Sequence, residues 1–312
     1  MSVARRILCP TDFSPSSDRA LHHALAWSRH AGAELHVLHV VVESDDAGEA
    51  PAYAGVLDAR AALEGLIARS GAGEEACRAV ARAPSVARSI VDHALEAGID
   101  LVVMGTHGRR GFRAPAIGHQ TAAVVRAAPC PVLAVPAGPG PAVASPPKRI
   151  LVPLDFGPRA LPALRYAQEI AHSTGGSLLL LHVIEEAIVP DLCYPLGRSI
   201  FLREPEARRR SREGLERLFW RAEGPDVPFD VRVVDGRAAT EIARIAAETA
   251  ADAVVMPTHS FAASPDRLVL GTTTDKVVRL APCPVLAHCE PRARSGESWP
   301  RESAARSHAA VG

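Results

Sequence analysis

Four glycines stand in the stretch VVMGTHGRRGFRAPAIGHQT, residues 102–121, and three are spaced to do chemistry. Gly105 ends an apolar run, Gly108 follows three positions on, and Gly118 comes after nine intervening residues. Glycine lets a main chain approach a ligand closely. Backbone amides in such a loop, with a helix starting behind them, suit an anion. The chemistry implied is a grip on a polyphosphate. No Lys-Ser/Thr pair follows, so this is not a Walker loop, and the spacing is not GxGxxG. On these glycines alone, a plain connecting loop explains the pattern better.

Other polar groups fall at the same place. Asp12 closes the first apolar run, RILCP, at PTDF. Its carboxylate can accept from an adenine amino group or a ribose hydroxyl, or it can cap a backbone amide near the helix start. Asp155 has the same choice in PLDF. Val40, at the end of ELHVLHVV, can offer main-chain N–H and C=O to a base edge, or serve only as core.

These residues need elements to hold them. RILCP reads as a buried strand, and Ser14-Pro15 as an N-cap with proline in the first helical turn. Leu21, Ala24, Leu25 and Ser28 share a helical face, which Gly32 ends. Strands are expected at 34–41, 77–82, 100–105 and 131–135, and helices at 59–69, 85–97 and 119–127. Such alternation predicts an α/β fold with a parallel sheet covered on both faces. Ligands of these sheets bind beyond the carboxyl ends of the strands.

The chain repeats itself. RRILCPTDFSP at 5–15 matches KRILVPLDFGP at 148–158, and LHVLHVV at 35–41 matches LLLLHVI at 178–184. DLVVMGTH at 100–107 matches DAVVMPTH at 252–259, and VVRAAPCPVLA at 124–134 matches VVRLAPCPVLA at 277–287. The expected organisation is one domain at 1–136, a Pro/Gly linker at 137–147, a second domain at 148–289 and a disordered tail at 290–312. Both halves keep an edge segment, PVLAV at 131–135 and PVLAH at 284–288. An unpaired edge strand is a liability, so these segments are expected to pair with each other inside one chain.

Together the motifs resemble the universal stress protein family. Gly105, Gly108 and Gly118 match its Gly-x-x-Gly, nine residues, Gly pattern, and Pro10-Thr11-Asp12, His39-Val40 and Pro129-Cys130-Pro131 match its accompanying pieces. The resemblance covers nearly all of 5–136 and 148–288. It implies two doubly wound five-stranded parallel-sheet domains in tandem, like the adenine nucleotide alpha-hydrolases, in a family whose domains dimerise through the last strand. It also implies a stress-response regulatory module that binds ATP, usually with Mg²⁺ or Mn²⁺. The nucleotide site carried over is Pro10, Asp12, Val40, Met104, Gly105, Gly108, Gly118, His119 and Gln120. A weaker second site comprises Asp155, Val183, Gly271, Thr272 and Thr273. The sequence departs from the pattern at His119, where the family has Ser or Thr, and Pro115 stiffens the loop. In the second half Pro257 and Ser260 replace the first two glycines, and ten residues separate Ser260 from Gly271. Nucleotide is therefore expected mainly in the first half. The alternative is a stress scaffold that acts through protein partners and binds none.

Composition narrows the remaining classes. The 312 residues carry a formal net charge of zero, so no global field favours nucleic acid or an anionic membrane. Aromatics make up only 4%, which argues against base-stacking platforms. No apolar run is long enough to span a bilayer, and MSVARRILCPTD is not a signal peptide, so a cytoplasmic protein is expected. The six cysteines form no CxxC. Cys130 and Cys283 are expected to be small buried residues, and Cys9 a packing residue. His36 and His39 should face opposite sides of a strand. His39 and His182 are expected to be structural, His107 and His259 to sit in turns, and His22-His23 on a helix surface. The run EPEARRRSREGLERLFWR, 204–221, reads as a solvated helix tied by pairs such as Glu206–Arg210 and Glu213–Arg217. No GxSxG elbow or acid–base pair is apparent, so any ATP hydrolysis should be slow. A homodimer of whole chains stays open.

Overall fold

The computed structural model describes residues 4–42, 49–72, 76–106, 118–137, 145–185, 205–258 and 272–289. The first half contains strands β1 (Arg6–Pro10), β2 (Glu34–Val42), β3 (Cys77–Ala83), β4 (Leu101–Gly105) and β5 (Val132–Val135). Its helices are α1 (Pro15–Ala31), α2 (Glu49–Ser70), α3 (Val86–Glu96) and α4 (His119–Ala127). The second half repeats the order with β6 (Arg149–Pro153), α5 (Ala160–Thr174), β7 (Ser177–Ile184) and α6 (Pro205–Arg221). It continues through β8 (Phe229–Asp235), α7 (Ala238–Glu248), β9 (Ala253–Pro257), α8 (Thr272–Leu280) and β10 (Val285–His288).

Local chemistry sets the boundaries. Ser14 Oγ accepts from Ser17 N at 3.2 Å and caps α1, with Pro15 in the first turn. Gly32 ends α1 at φ 62°, where a side chain would be strained. At the far end of each first strand, one carboxylate holds two amides. Asp100 Oδ2 accepts from Arg5 N at 2.8 Å and Arg6 N at 3.0 Å. Asp252 Oδ2 accepts from Lys148 N at 3.1 Å and Arg149 N at 2.8 Å.

Strand order is β3-β2-β1-β4-β5-β10-β9-β6-β7-β8. Every adjacent pair runs parallel except β5 and β10. These two are antiparallel, with Val285 opposite Ala134, Leu286 opposite Leu133 and Ala287 opposite Val132. The expected pairing of the two edge segments is thus present, and it fuses two five-stranded sheets into one of ten strands.

Helices cover both faces. One core, from α1, α2, α5 and α6, crosses the seam and joins Trp27 and Leu133 to Ile170, Val255 and Leu286. On the other face, α3 and α4 pack over the first half and α7 and α8 over the second. Ala122 and Ala134 join the second-half cluster, while Ala287 joins the first-half one. Apolar burial of this kind is the main stabilising term for both halves and for their union.

The stretch 204–221 is helical from Pro205, as α6. Arg210 meets Glu206 at 3.3 Å and Arg217 meets Glu213 at 3.9 Å, both on exposed side chains. Arg208 reaches Asp235 on β8. No described helix is long and apolar enough to cross a membrane.

Candidate functional site

In each half, sheet order reverses between the first and fourth strands, so the switch point of the first half lies between the ends of β1 and β4. β1 stops at Pro10 and the chain turns through Thr11-Asp12-Phe13-Ser14 into α1. Asp12 Oδ1 accepts from Ser14 N at 3.1 Å, so the carboxylate shapes this turn. Phe13 is held at φ 61°, a conformation that costs a bulky residue about 1–3 kcal/mol. Its ring lies tilted against His39, with centroids 4.5 Å apart. His39 Nδ1–H donates to Thr11 O at 2.8 Å, which fixes the imidazole against the turn.

β2 outruns β1. Leu38 is the last residue of β2 opposite β1, while β2 continues to Val42. Leu38 O accepts from Thr11 N at 2.8 Å, so Leu38 directs its main-chain groups toward β1. Alternate strand residues direct theirs to the same side. Val40 therefore aims its N–H and C=O past the end of β1, beside the Asp12 turn. Its side chain packs with Leu38, Met104 and their neighbours in the core under α3 and α4. The Val40 side chain is thus core, while its main chain points past the end of β1.

The end of β4 is more crowded than glycine suggests. A Cβ on Gly105 would lie 2.4 Å from Ser16 Oγ and 2.8 Å from Ser16 O. Gly105 is small because the first turn of α1 lies against it. Its carbonyl accepts from Thr121 Oγ1 at 2.8 Å. Gly118 N–H donates to Thr106 O at 2.7 Å, which closes the loop at its base. Gly118 is the N-cap of α4, and no side chain caps that helix. Gln120 Oε1 accepts from Ala87 N at 3.0 Å, and Gln120 Nε2 lies 3.0 Å from His119 Nε2. Pro10 and Met104 are buried. The first-half residues therefore gather at one rim, with Gln120 turned toward the start of α3. Gly108, His107 and Pro115 lie outside the described residues.

The second half repeats much of this geometry. Asp155 Oδ1 accepts from Gly157 N at 3.0 Å, and Phe156 sits at φ 60° with its ring 4.5 Å from His182. His182 Nδ1–H donates to Leu154 O at 2.8 Å. Leu154 N donates to Leu181 O, so Val183 aims its main chain past β6 as Val40 does past β1. Thr274 Oγ1 donates to Pro257 O at 3.0 Å, matching Thr121. Thr272 and Thr273 open α8 on its exposed and half-buried sides. Gly271, Ser260 and His259 lie outside the described residues.

Sequence reasoning missed the Phe13–His39 and Phe156–His182 ring contacts and the Thr121 and Thr274 anchors. The signal was available: both Phe and Thr recur at equivalent places in the two halves. His39 and His182 have the structural hydrogen bonds expected of them. His22 is exposed, but His23 is a correction. It is half-buried, facing a crevice shared with Trp27, Leu133 and Leu286. Burial, helped by Arg19 and His22, lowers its pKa to about 4. Burial raises the thiols of Cys9 and Cys283 to about 12 and pushes Cys130 higher still. Held protonated, Cys9 and Cys283 are poor nucleophiles.

With this geometry in view, comparison with known proteins is direct. The universal stress protein family model matches residues 4–136 and again 146–287. Universal stress protein MJ0531 of Methanocaldococcus jannaschii is 30% identical over 145 residues, covering 46% of this chain and 84% of the relative. A universal stress protein of Thermus aquaticus is 37% identical over 143 residues, covering 45% of this chain and 96% of the relative. The crystal structure of a universal stress protein from Archaeoglobus fulgidus is similar over both halves. It covers 92% of this chain and 96% of its own, at 22% identity and TM-score 0.66. The duplicated rim, the ten-stranded sheet and the two matched segments lead to one conclusion: this chain belongs to the universal stress protein family and carries two such domains in tandem.

Proposed function

We propose that the chain is a stress-response regulatory module whose first half binds an adenine nucleotide at the rim between β1 and β4. The observation that carries this reading is the overrun of β2, which turns the Val40 main chain past the end of β1. An adenine edge needs one donor and one acceptor side by side, which is what Val40 offers there. Asp12 stands on the neighbouring turn for a ribose hydroxyl. The uncapped start of α4, at Gly118, His119 and Gln120, suits the phosphates, whose charge the helix terminus favours. Mg²⁺ or Mn²⁺ would travel with the phosphates. Among the described residues there is no cluster of three or more metal-ligating side chains to hold it.

The second half keeps Asp155 and the Val183 overrun, but Pro257 supplies no amide where Gly105 has one. Weaker binding follows there. A second reading, a scaffold that acts through protein partners without nucleotide, draws support from two features. Ser16 fills the space beside Gly105, and Gly118 N–H is already spent on Thr106 O.

Thermal unfolding of the whole chain with and without Mg-ATP separates these readings. A ligand at a hundred times its Kd stabilises by about 2.7 kcal/mol. The proposal expects the ligand-induced rise to vanish in Asp12→Ala and persist in Asp155→Ala. The reverse pattern would move the site to the second half. No rise in the wild type at millimolar nucleotide would leave the scaffold reading.

A further inference from the structure

We propose that Cys130 and Cys289 form a peroxide-reactive thiol pair that closes into a disulfide across the seam between the two halves. The register of β5 and β10 puts Ala287 opposite Val132. Cys130 lies two residues before that pair, at the bend that leads into β5, and Cys289 two residues after it, just past β10, so the same register carried on brings the two cysteines to one end of the seam. Side chains two positions apart share a face, so Cys130 with Val132 and Cys289 with Ala287 lie on the same side of the sheet. Directly opposed antiparallel residues have Cα atoms about 4.5 or 5.5 Å apart. A disulfide spans about 4.4–6.8 Å.

Two further observations bring Cys289 near Cys130. Cys289 Sγ lies 3.6 Å from Ala128 O, so the side chain is turned onto the first half, two residues from Cys130. After burial, the charge on Cys289 is the largest influence raising the Cys130 thiol. The pair occupies one end of the seam only. Cys283 is the repeat equivalent of Cys130, and the same register sets it opposite Pro136.

Accessibility decides the order of events. Cys130 is 3% exposed, whereas Cys289 is half-buried at the end of β10. The Cys289 thiolate meets the oxidant, here hydrogen peroxide. Its sulfur attacks one peroxide oxygen and the O–O bond breaks; the leaving hydroxide takes up the proton that the Cys289 thiol had released, so a sulfenic acid and one water result. Cys130 sulfur then displaces the hydroxyl from that sulfenic acid. The S–S bond forms, the S–O bond breaks, and the Cys130 proton leaves with the hydroxyl as a second water. Two thiols and one peroxide become one disulfide and two waters. The product adds a second covalent join between the two domains, with Cys130 just before their linker and Cys289 at the far end of the second domain.

The test uses the full chain with a protease recognition sequence inserted within residues 138–144. Protein is treated with hydrogen peroxide, alkylated, cut in the linker and run on a denaturing gel without reductant. The proposal expects oxidised wild type to stay at full mass and to separate into two halves on reduction. Cys289→Ser and Cys130→Ala should separate without reductant, while Cys283→Ser should behave as wild type. Tryptic mass spectrometry of the oxidised wild type, without the inserted sequence, should show residues 127–148 joined to residues 280–292 with the loss of two hydrogens, and fragmentation of the second peptide should place the link on Cys289 and not Cys283. Halves that separate in the oxidised wild type would overturn the proposal. So would a link that survives Cys289→Ser, a link that maps to another cysteine, or a product the size of two chains. The wild-type mapping stands even if a variant folds poorly.

Discussion

Replacing Gly105 with alanine asks whether this glycine serves a ligand or helix α1. An added Cβ would meet Ser16 Oγ at 2.4 Å, Ser16 O at 2.8 Å and Ser16 C at 2.9 Å. The hydroxyl can rotate away. The carbonyl belongs to the first turn of α1 and moves only with the helix. Restoring ordinary contact needs α1 to recede by roughly half an ångström, which is a typical overpacking response. That shift loosens Ala20, Leu21, Ala24, Leu25 and Trp27, the buried face of α1. A gap of this size forfeits about a quarter of the dispersion energy at each lost contact. The expected cost is about 1–3 kcal/mol. Adding Ser16→Gly removes the hydroxyl clash but not the main-chain one, so it should restore less than half. Gly32→Ala gives the contrast, because nothing lies within 4 Å of its Cβ but its φ is 62°. Its cost should be about 1 kcal/mol from backbone conformation alone. Urea unfolding followed by far-ultraviolet circular dichroism reads all four proteins. If Gly105→Ala unfolds at the wild-type midpoint yet loses the Mg-ATP shift, the packing argument is refuted. Gly105 then faces a ligand.

Two further outcomes are expected. Asp100→Ala and Asp252→Ala each strand two backbone amides at the start of a first strand, on partly exposed carboxylates. Each should cost about 1–2 kcal/mol in the same urea titration, and a neutral Asp100→Ala would sink the cap assignment. Burial lowers the His288 pKa from 6.5 to about 4. Below pH 6.5 the unfolded chain therefore takes up a proton that the folded chain refuses, and stability falls until about pH 4. The loss attributable to this residue is up to about 3 kcal/mol. His288→Val, which installs the residue found at the equivalent Val135, should make that acid limb shallower and leave the share that the similarly lowered His23 contributes. An unchanged limb would show that His288 is not the group responsible.

What the sequence revealed depended on how local each cause was. Helix α1 was legible from Ser14-Pro15 at one end and Gly32 at the other, because capping is a matter of adjacent residues. The bounds of α4 followed from Gly118 for the same reason. Helix α2 runs from Glu49, well before the expected start at 59, and Pro51 lies in its first turn. In the first turn it costs little, since its missing N–H had no partner to lose. The left-handed Phe13 carried no local signal, as positive φ is rare for a bulky side chain. Only the recurrence of Asp-Phe in both halves pointed to it. The crowding at Gly105 was invisible because Ser16 lies far away in the chain and arrives there through α1 packing on β4. Glycine spacing was read as room for a ligand, and at this position the room belongs to a helix.

The antiparallel seam also bears on how whole chains associate. Pairing through the last strand needs a free last strand. Here β5 and β10 are each other's partners, and both are buried along their full length. The sheet ends instead at β3 and β8. Both end strands carry charge at exposed or half-buried positions: Arg78 and Arg82 on β3, and Asp230 and Arg232 on β8. Such charges discourage strand-to-strand addition. A homodimer of whole chains must therefore use a helical face or a rim and not the strand edge that joins the halves. The duplication moves an interface that separate domains would have to form by collision into the folding of a single chain. Loss of one half then exposes the edge strand of the other, so the two domains are bound to the same fate.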